Sequence, residues 1–275
     1  MKTTSFFAAA LLLLVFAVHA EARDGDDADG VVIRVMAYNV EFGRSATPEE
    51  IGAAIEPYDL DVVTFNEVPA DDWTARVGAV LGMEHAYVGE ISSANHKDKY
   101  RSILSRTPLT ETREHRLTGV GWNPASAVRA LTTVRGQTVS IYALHVSGEA
   151  PRDVPLADRH AIYLLDEVVT KDDAEHVLVT GDFNDRVGEP TLNYYREAGY
   201  RATWFDLDMD VTSGSEHYTW NALSDGRAGV IDHIFYKATG NMRATDGGIA
   251  IWDKSLSDHH PVWAQILITN SAPQR

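Results

Sequence analysis

The sequence predicts one α/β domain in which two β-sheets pack against each other with helices outside. Three observations lead there. Short apolar, β-branched runs recur from Val31 to Ile268. Helical stretches alternate with these runs instead of following them as a block. No internal repeat and no second linker divides the chain.

The elements follow in order. Val31 to Ala37 is the first strand and ends at Tyr38-Asn39. Thr47-Pro48-Glu49-Glu50 opens a helix: Thr47 caps it, Pro48 suits its first turn and Glu50 stands three residues after the cap. That helix ends near Pro57, and Asp61 to Phe65 is a buried strand ending at Asn66-Glu67. A second helix covers Asp71 to Leu81. Strands follow at His85–Val88, Arg101–Ser105, Ala127–Val134 and Thr138–His145, with Gly136-Gln137 turning the last hairpin. A helix over Pro155–Thr170 precedes the strand His176–Thr180, and Glu189–Ala198 forms another helix. Val230–Tyr236 and Pro261–Ile268 are the closing strands.

With 275 residues and 44% hydrophobic content, the chain suffices for one large core. It has 24 Lys and Arg against 40 Asp and Glu, a formal charge of −16. That excludes a protein that coats polyanions through a basic stripe. It does not exclude a phosphate substrate, because a bound cation inverts the local field. There is no cysteine, which removes thiolate catalysis, zinc–cysteine centres and disulfides. The N-terminus has the form of an export signal: Lys2, an apolar run from Phe6 to Val18, then small residues Ala20 and Ala22. The expected layout is a signal peptide over 1–22, an acidic disordered spacer over 23–30, the domain over 31–270 and a tail over 271–275. The mature chain is expected to be exported, either secreted or periplasmic.

Polar residues stand repeatedly at the ends of apolar strands. Asn39, Glu67, His145 and the pair Asp182 and Asn184 each follow one, and Ser257-Asp258-His259-His260 precede one. Asp232-His233 interrupt a strand between Val230-Ile231 and Ile234-Phe235. One Asp or Asn after a strand is ordinarily a turn residue, and one His there is ordinarily a surface residue. Six such places in one chain point instead to a site at one rim. Asp232 needs a partner, because an unpaired buried carboxylate is costly. Hard oxygen ligands such as Glu67, Asn39 and Asp258 suit magnesium, manganese or calcium. His145 and His259 suit phosphate contacts and proton transfer. Asp182 with Asn184 suits orienting and deprotonating a water.

These segments, in this order, resemble the endonuclease/exonuclease/phosphatase family: Met36-Ala37-Tyr38-Asn39, Asp61 to Val68, Arg101 to Arg106, Ala143-Leu144-His145, Gly181-Asp182-Phe183-Asn184, Ile231 to Phe235, and Ser257-Asp258-His259-His260-Pro261-Val262. Gly-Asp-Phe-Asn and Ser-Asp-His are the most specific. Asn66 stands where such families often carry Gln. The resemblance implies a DNase I-like four-layer α/β sandwich, two mixed sheets flanked by helices, with the active site at one rim between the sheets. It implies that Glu67 is the principal metal ligand, with Asn39 and Asp258 contributing directly or through water. It implies that Asp182, helped by Asn184, aligns the attacking water, that His259 contacts the scissile phosphate, and that Asp232 orients His259. His145 matches the second phosphate histidine of the DNase I-like and sphingomyelinase-like branches. Arg101, at the start of a matching segment, is the foremost candidate for positioning substrate. Arg106, Arg129 and Arg135 are weaker ones, and solvated sheet-edge charge is the ordinary alternative for each.

The implied reaction is magnesium-dependent (or manganese- or calcium-dependent) hydrolysis of a phosphodiester by in-line water attack. Three substrate classes stay open: nucleic acid, a phospholipid headgroup as in sphingomyelinases, or a small phosphate ester. Net charge of −16 predicts salt-sensitive nucleic-acid binding. An inactive binding module on the same fold would lack the Glu67, Asp182 or His259 equivalents, and all three are present. The sequence points to a monomer with no obligate protein partner. Trp122-Asn123 and Trp204-Phe205 fall in expected loops, where aromatics either stack on a ligand or cover the core edge.

Overall fold

The structure is a computed structural model and describes residues 26–27, 30–148, 154–212, 217–220, 229–238, 241–252 and 255–269. The expected signal segment and the tail lie outside these residues. The strands are β1 (Asp26–Asp27), β2 (Gly30–Asn39), β3 (Val62–Val68), β4 (His85–Val88), β5 (Tyr100–Ser105), β6 (Thr110–Leu117), β7 (Ala125–Val134), β8 (Gln137–His145), β9 (His176–Asp182), β10 (Tyr200–Ala202), β11 (Asp232–Lys237), β12 (Met242–Ile249) and β13 (Val262–Thr269). The helices are α1 (Pro48–Ile55), α2 (Trp73–Leu81), α3 (His160–Glu167), α4 (Pro190–Glu197) and α5 (Thr203–Asp206). Within the expected spacer, Asp26 and Asp27 pair antiparallel with Val31 and Gly30.

Two mixed sheets form, as the sequence predicts. The first runs β12-β13-β2-β3-β5-β4, with β1 beside β2, and the second runs β10-β11-β9-β8-β7-β6. The parallel pairs are β2 with β3 and β8 with β9. Alternation along each strand separates two apolar regions. On β2 and β3, Ile33, Val35, Ala37 and Val62 join the core between the sheets. Met36, Tyr38, Val63 and Phe65 point the other way, against Ile51 and Ile55 of α1 and Trp73 and Val77 of α2. Leu164 and Leu165 of α3 and Leu192 and Tyr195 of α4 cover the second sheet. The layers are therefore helix, sheet, sheet, helix.

The start of α1 has the expected geometry: Thr47 Oγ1 accepts from the Glu50 amide at 3.2 Å, and Glu50 Oε2 accepts from the Thr47 amide at 2.9 Å. The β7–β8 hairpin turns one residue earlier than expected, at Arg135-Gly136, both with positive φ (45° and 86°), as a two-residue hairpin turn requires. The helix expected over Pro155–Thr170 is α-helical only over His160–Glu167 and is flanked by 3₁₀ turns. Besides β1, three strands escape the sequence pattern. β6 is a polar edge strand with most residues exposed, β10 has three residues, and β12 is a bulged edge strand containing Gly247 and Gly248. Edge strands bury only one flank, so they do not need an apolar run.

One buried carboxylate fastens the second sheet. Asp172, before β9, accepts from Ser140 Oγ (2.6 Å), Tyr142 OH (2.6 Å), Arg129 Nε (3.0 Å) and the Ala174 amide (3.0 Å). Burial alone would raise its pKa, but these donors outweigh burial and hold it at about 2. A depressed carboxyl pKa contributes stability above the unfolded value, near 3.8, that is lost as pH falls through about 2. Asp172→Asn is expected to cost about 1–2 kcal/mol at pH 7 after allowance for solvent screening. Denaturant unfolding at pH 7 and near pH 2 checks this: the gap to wild type closes at the acid end, and a gap independent of pH contradicts it.

Candidate active site

Register builds the site. Asn39 ends β2 opposite Asn66, His145 ends β8 opposite Asp182, and Asp182 ends β9 opposite Asp232, the first residue of β11. The two parallel pairs finish at the same rim. Alternation turns Asn39 to the inward face that Ala37 occupies, and Asp182 to the face of Thr180, whose hydroxyl meets Thr64 Oγ1 across the sheets at 2.7 Å. Asn39 Nδ2 then reaches Asp182 Oδ2 at 3.1 Å, and this contact joins the two sheets at the rim. Gly181 is required beside it: its φ is 128°, and a Cβ there would lie 2.2 Å from the Leu144 carbonyl oxygen.

Glu67 sits where β3 bulges against β5, with φ 53°, an uncommon backbone for a non-glycine residue and one that re-aims its side chain at the rim. Its Oε1 is 3.7 Å from His145 Nε2, which is 3.6 Å from Asp182 Oδ2. His259 Nε2 lies 3.8 Å from that same Asp182 oxygen. Glu67, His145, Asp182 and His259 therefore surround one small volume, although the sequence separates them by up to 192 positions (259 − 67).

The two histidines differ in charge. His259 Nδ1 bonds Asp232 Oδ2 at 2.8 Å. Burial lowers the His259 pKa, but Asp232, Asp182 and Asp258 outweigh it and push it up to about 10. His259 is thus an imidazolium at neutral pH. His145 is driven the other way by burial and by the charges of Arg101, Lys99 and His259, so it is neutral. Ser93 Oγ accepts from Arg101 at 2.6 Å and faces His145 Nδ1 at 3.5 Å. Its hydroxyl hydrogen is therefore available to Nδ1, which leaves the ring hydrogen on Nε2, facing the carboxylates. Burial and the Asp232 charge raise the Asp182 pKa, against the pull of His259.

The loop carrying Asp258 and His259 is locked by Ser257, whose Oγ donates to the Asn39 carbonyl at 2.7 Å and accepts from the His259 amide at 3.1 Å. Thr219 Oγ1 accepts from the amides of Ile231 (3.0 Å) and Asp232 (3.2 Å), fixing the entry to β11. Asn184, with φ 49°, donates its amide N–H to Asp182 Oδ1 and its Nδ2 to the Val146 carbonyl, both at 2.8 Å, and so braces Asp182. Beside these groups opens a trench of about 940 Å³ whose walls include Lys99, Trp122, His145, Arg159, Asn184 and Trp220.

The residues fit a hard divalent cation. Asp258 is partly buried with its pKa raised, first by burial and then by the charges of Glu41 and Glu67, with His259 pulling down. Glu41, Glu67 and Asp258 thus lie near one another, and the Asn39 carboxamide oxygen accepts the Glu41 amide. Among the described residues, the buried Asn66 amide beside Glu67 has no partner for its oxygen or its nitrogen. Asp182, Asp232 and His259 also present ligand atoms within 4.8 Å of one another. Asp232 already holds His259 Nδ1 within that trio, while Glu67 and Asp258 offer oxygen ligands of the kind a hard cation takes.

The arginine expectations need correction. Arg101 is fully buried: its guanidinium is enclosed by Ser93, Ser126, the Ile91 carbonyl and Glu114, so it shapes the loop and does not meet substrate. Arg106 holds the Leu60 carbonyl and Asp59, Arg129 holds Asp172, and Arg135 pairs with Asp61 at 2.8 Å. These are structural ion pairs, not free edge charges. His233, adjacent to Asp232, is also structural: it accepts from Trp204 Nε1 at 2.9 Å, and burial lowers its pKa to about 4. Trp204 is core, whereas Trp122 lines the trench 5.1 Å from the His145 ring. The sequence also suggests a loop from Lys97 to Arg101 at the site mouth, and Lys99 of that loop lines the trench; Ser93, Thr219 and Trp220 were missed as site residues. None follows an apolar strand, and their contacts are formed only by folding.

The chain matches the profile of the Endonuclease/Exonuclease/phosphatase family over residues 36–259. It belongs to that family. It is accordingly a metal-dependent hydrolase of phosphate esters, and the four-layer DNase I-like sandwich is the family's fold. No curated protein sequence matches the chain. An endonuclease/exonuclease/phosphatase structure from Beutenbergia cavernae is 21% identical, with a TM-score of 0.65 over 86% of this chain and 72% of that one. The human Nocturnin catalytic domain with bound sulfate is 17% identical (TM-score 0.66, 86% and 94% covered). A mannosyl-6-phosphatase from Bacteroides thetaiotaomicron is 16% identical (TM-score 0.63, 86% and 99% covered). At these identities the likenesses concern the fold.

Thr219→Val is expected to strand two buried amides and cost about 1–3 kcal/mol. Thr219→Ser keeps the acceptor and most of the stability. Denaturant midpoints check this, and equal midpoints for the two variants contradict it.

Proposed function

We propose that this chain hydrolyses a phosphodiester by in-line attack of water, with nucleic acid as the substrate class. The observation that carries the proposal is the convergence of one neutral and one charged imidazole, His145 and His259, on the Asp182 carboxylate, with Glu67 within reach of the same imidazole. Asp182 takes the proton of the attacking water; its raised pKa brings it nearer the ideal for a base at neutral pH. Asn184 and Asn39 hold its two oxygens, so the carboxylate keeps its direction. His259, charged and oriented by Asp232, meets the negative charge on the phosphate oxygens. His145 presents its Nε2 hydrogen to the same group. Glu67, with Asn39 and Asp258 direct or through water, would hold a divalent cation, which would supply positive charge to the reacting phosphate group. Magnesium is proposed, with manganese or calcium as substitutes.

Nucleic acid is favoured over a lipid headgroup by the surroundings. The trench wall carries Trp122 and Trp220, suited to stacking bases, beside Lys99 and Arg159, the latter held by Asp185 and Thr191. Among the described residues the exposed large hydrophobics are Val120, Phe205 and Ile251, too few for a membrane-docking surface. The apolar run of residues 6–18 supports export of the mature chain.

Chelation with EDTA is expected to abolish hydrolysis of bis-p-nitrophenyl phosphate, and added magnesium or manganese to restore it. His259→Ala and Asp182→Ala are each expected to lose about 10²–10⁴ in turnover with an unchanged circular dichroism spectrum. Activity within about threefold of wild type removes that residue from the mechanism. Plasmid DNA compared with sphingomyelin vesicles decides the substrate class, and cleavage of the vesicles alone overturns the nucleic-acid reading.

A further inference from the structure

One ammonium group enters the site from the loop before β5. Lys99 Nζ stands 2.8 Å from Glu67 Oε2 and 5.2 Å from the centre of the Phe42 ring. Both partners are largely covered, with side chains 22% and 11% exposed. The backbone of Lys99 is held on both sides: its N–H donates to Ser92 Oγ at 3.2 Å, and its carbonyl accepts from the Ser93 amide at 3.1 Å and from Arg101 at 3.4 Å. Arg101 is in turn fixed by Ser93, Ser126 and Glu114. The buried arginine thus presets the loop, and the loop delivers a positive charge to the carboxylate best placed to hold a metal. The need for that charge is local: the Asp258 carboxylate stands near Glu67.

We propose that Lys99 is a resident counter-cation for Glu67, which a divalent metal must displace in order to bind. The proposal rests on the metal-dependent reading above and concerns what holds the carboxylates together before the metal arrives. An ammonium and a divalent ion on neighbouring oxygens of one carboxylate repel strongly in a partly dry site, so the two occupants exclude each other. The lysine stem lets Nζ leave: four carbons with free rotation open onto the trench, where Lys99 already forms part of the wall. Empty of metal, the site keeps its shape because Lys99 offsets the repulsion. Metal affinity is correspondingly weaker than the oxygen ligands alone would give.

Lys99→Met keeps most of the apolar stem but removes the ammonium that pairs with Glu67 and lies over Phe42. Lys97→Met removes the same charge from an exposed position on the same loop and serves as the control. Manganese binding to substrate-free protein, counted by electron paramagnetic resonance of the free ion, is expected to tighten about three- to tenfold in Lys99→Met, the scale of a partly buried ion pair, and to change by less than about twofold in Lys97→Met. The metal-free melting temperature is expected to fall in Lys99→Met alone, with saturating manganese closing the gap to wild type. Unchanged or weaker manganese binding in Lys99→Met overturns the proposal, as does an equal gain in Lys97→Met. Wild-type protein that binds no manganese overturns the metal-dependent reading itself, so the two failures are told apart.

Discussion

Carboxylates repel, and this fold gathers five of them at one rim: Glu41, Glu67, Asp182, Asp232 and Asp258. Most are wholly or largely buried, where the cost of an uncompensated charge is greatest. The rest of the site is arranged to meet that cost. Asp232 is answered by the His259 imidazolium, Asp182 by the Asn39 amide, the Asn184 backbone and the nearby His259, and Glu67 by the Lys99 ammonium. Glu41 pairs with Arg44 at 3.2 Å, and the proposed cation would join the remaining balance beside Glu67 and Asp258. The energy that would otherwise push the rim apart is the same energy that makes it bind metal and phosphate.

Local balance also reconciles an acidic protein with an anionic substrate. A net charge of −16 describes the whole surface, whereas the proposed site holds the His259 imidazolium and a trench wall with Lys99 and Arg159, paired there with Glu67 and Asp185. The structural arginines are withdrawn from this balance. Arg101, Arg106, Arg129 and Arg135 each answer a carboxylate or carbonyl elsewhere in the fold. Their positive charge supports the scaffold and is not available to substrate.

The central strands were legible in the sequence because both faces are covered, so apolar runs mark them. Edge strands β6 and β12 were not, since one exposed flank tolerates Glu, Arg, Asp and Gly. The helix α1 was legible through its cap, which is a local signal. The site residues Asn39, Glu67, His145, Asp182, Asp232 and His259 were legible because each stands at the rim end of a covered strand or in a short specific motif. Their spacing was not, because it depends on register between the sheets. Arg101 shows how a motif misleads: its position in a matching segment marks it as important, but only burial tells support from substrate contact. Lys99 shows the converse. A lysine two residues earlier, in a polar loop, gains meaning only through an ion pair spanning 32 positions (99 − 67).

The centre of this account is the proposal that the oxygen-rich set around Glu67 is the cation seat and that the trio of Asp182, Asp232 and His259 handles protons. Crystals grown with manganese and measured at its anomalous edge test this directly. The account predicts an anomalous peak about 2 Å from a Glu67 carboxylate oxygen, the coordination distance of a small hard cation, with the Lys99 ammonium turned away and His259 still bonded to Asp232. A peak on the Asp182, Asp232 and His259 trio, with Lys99 still paired to Glu67, would contradict it.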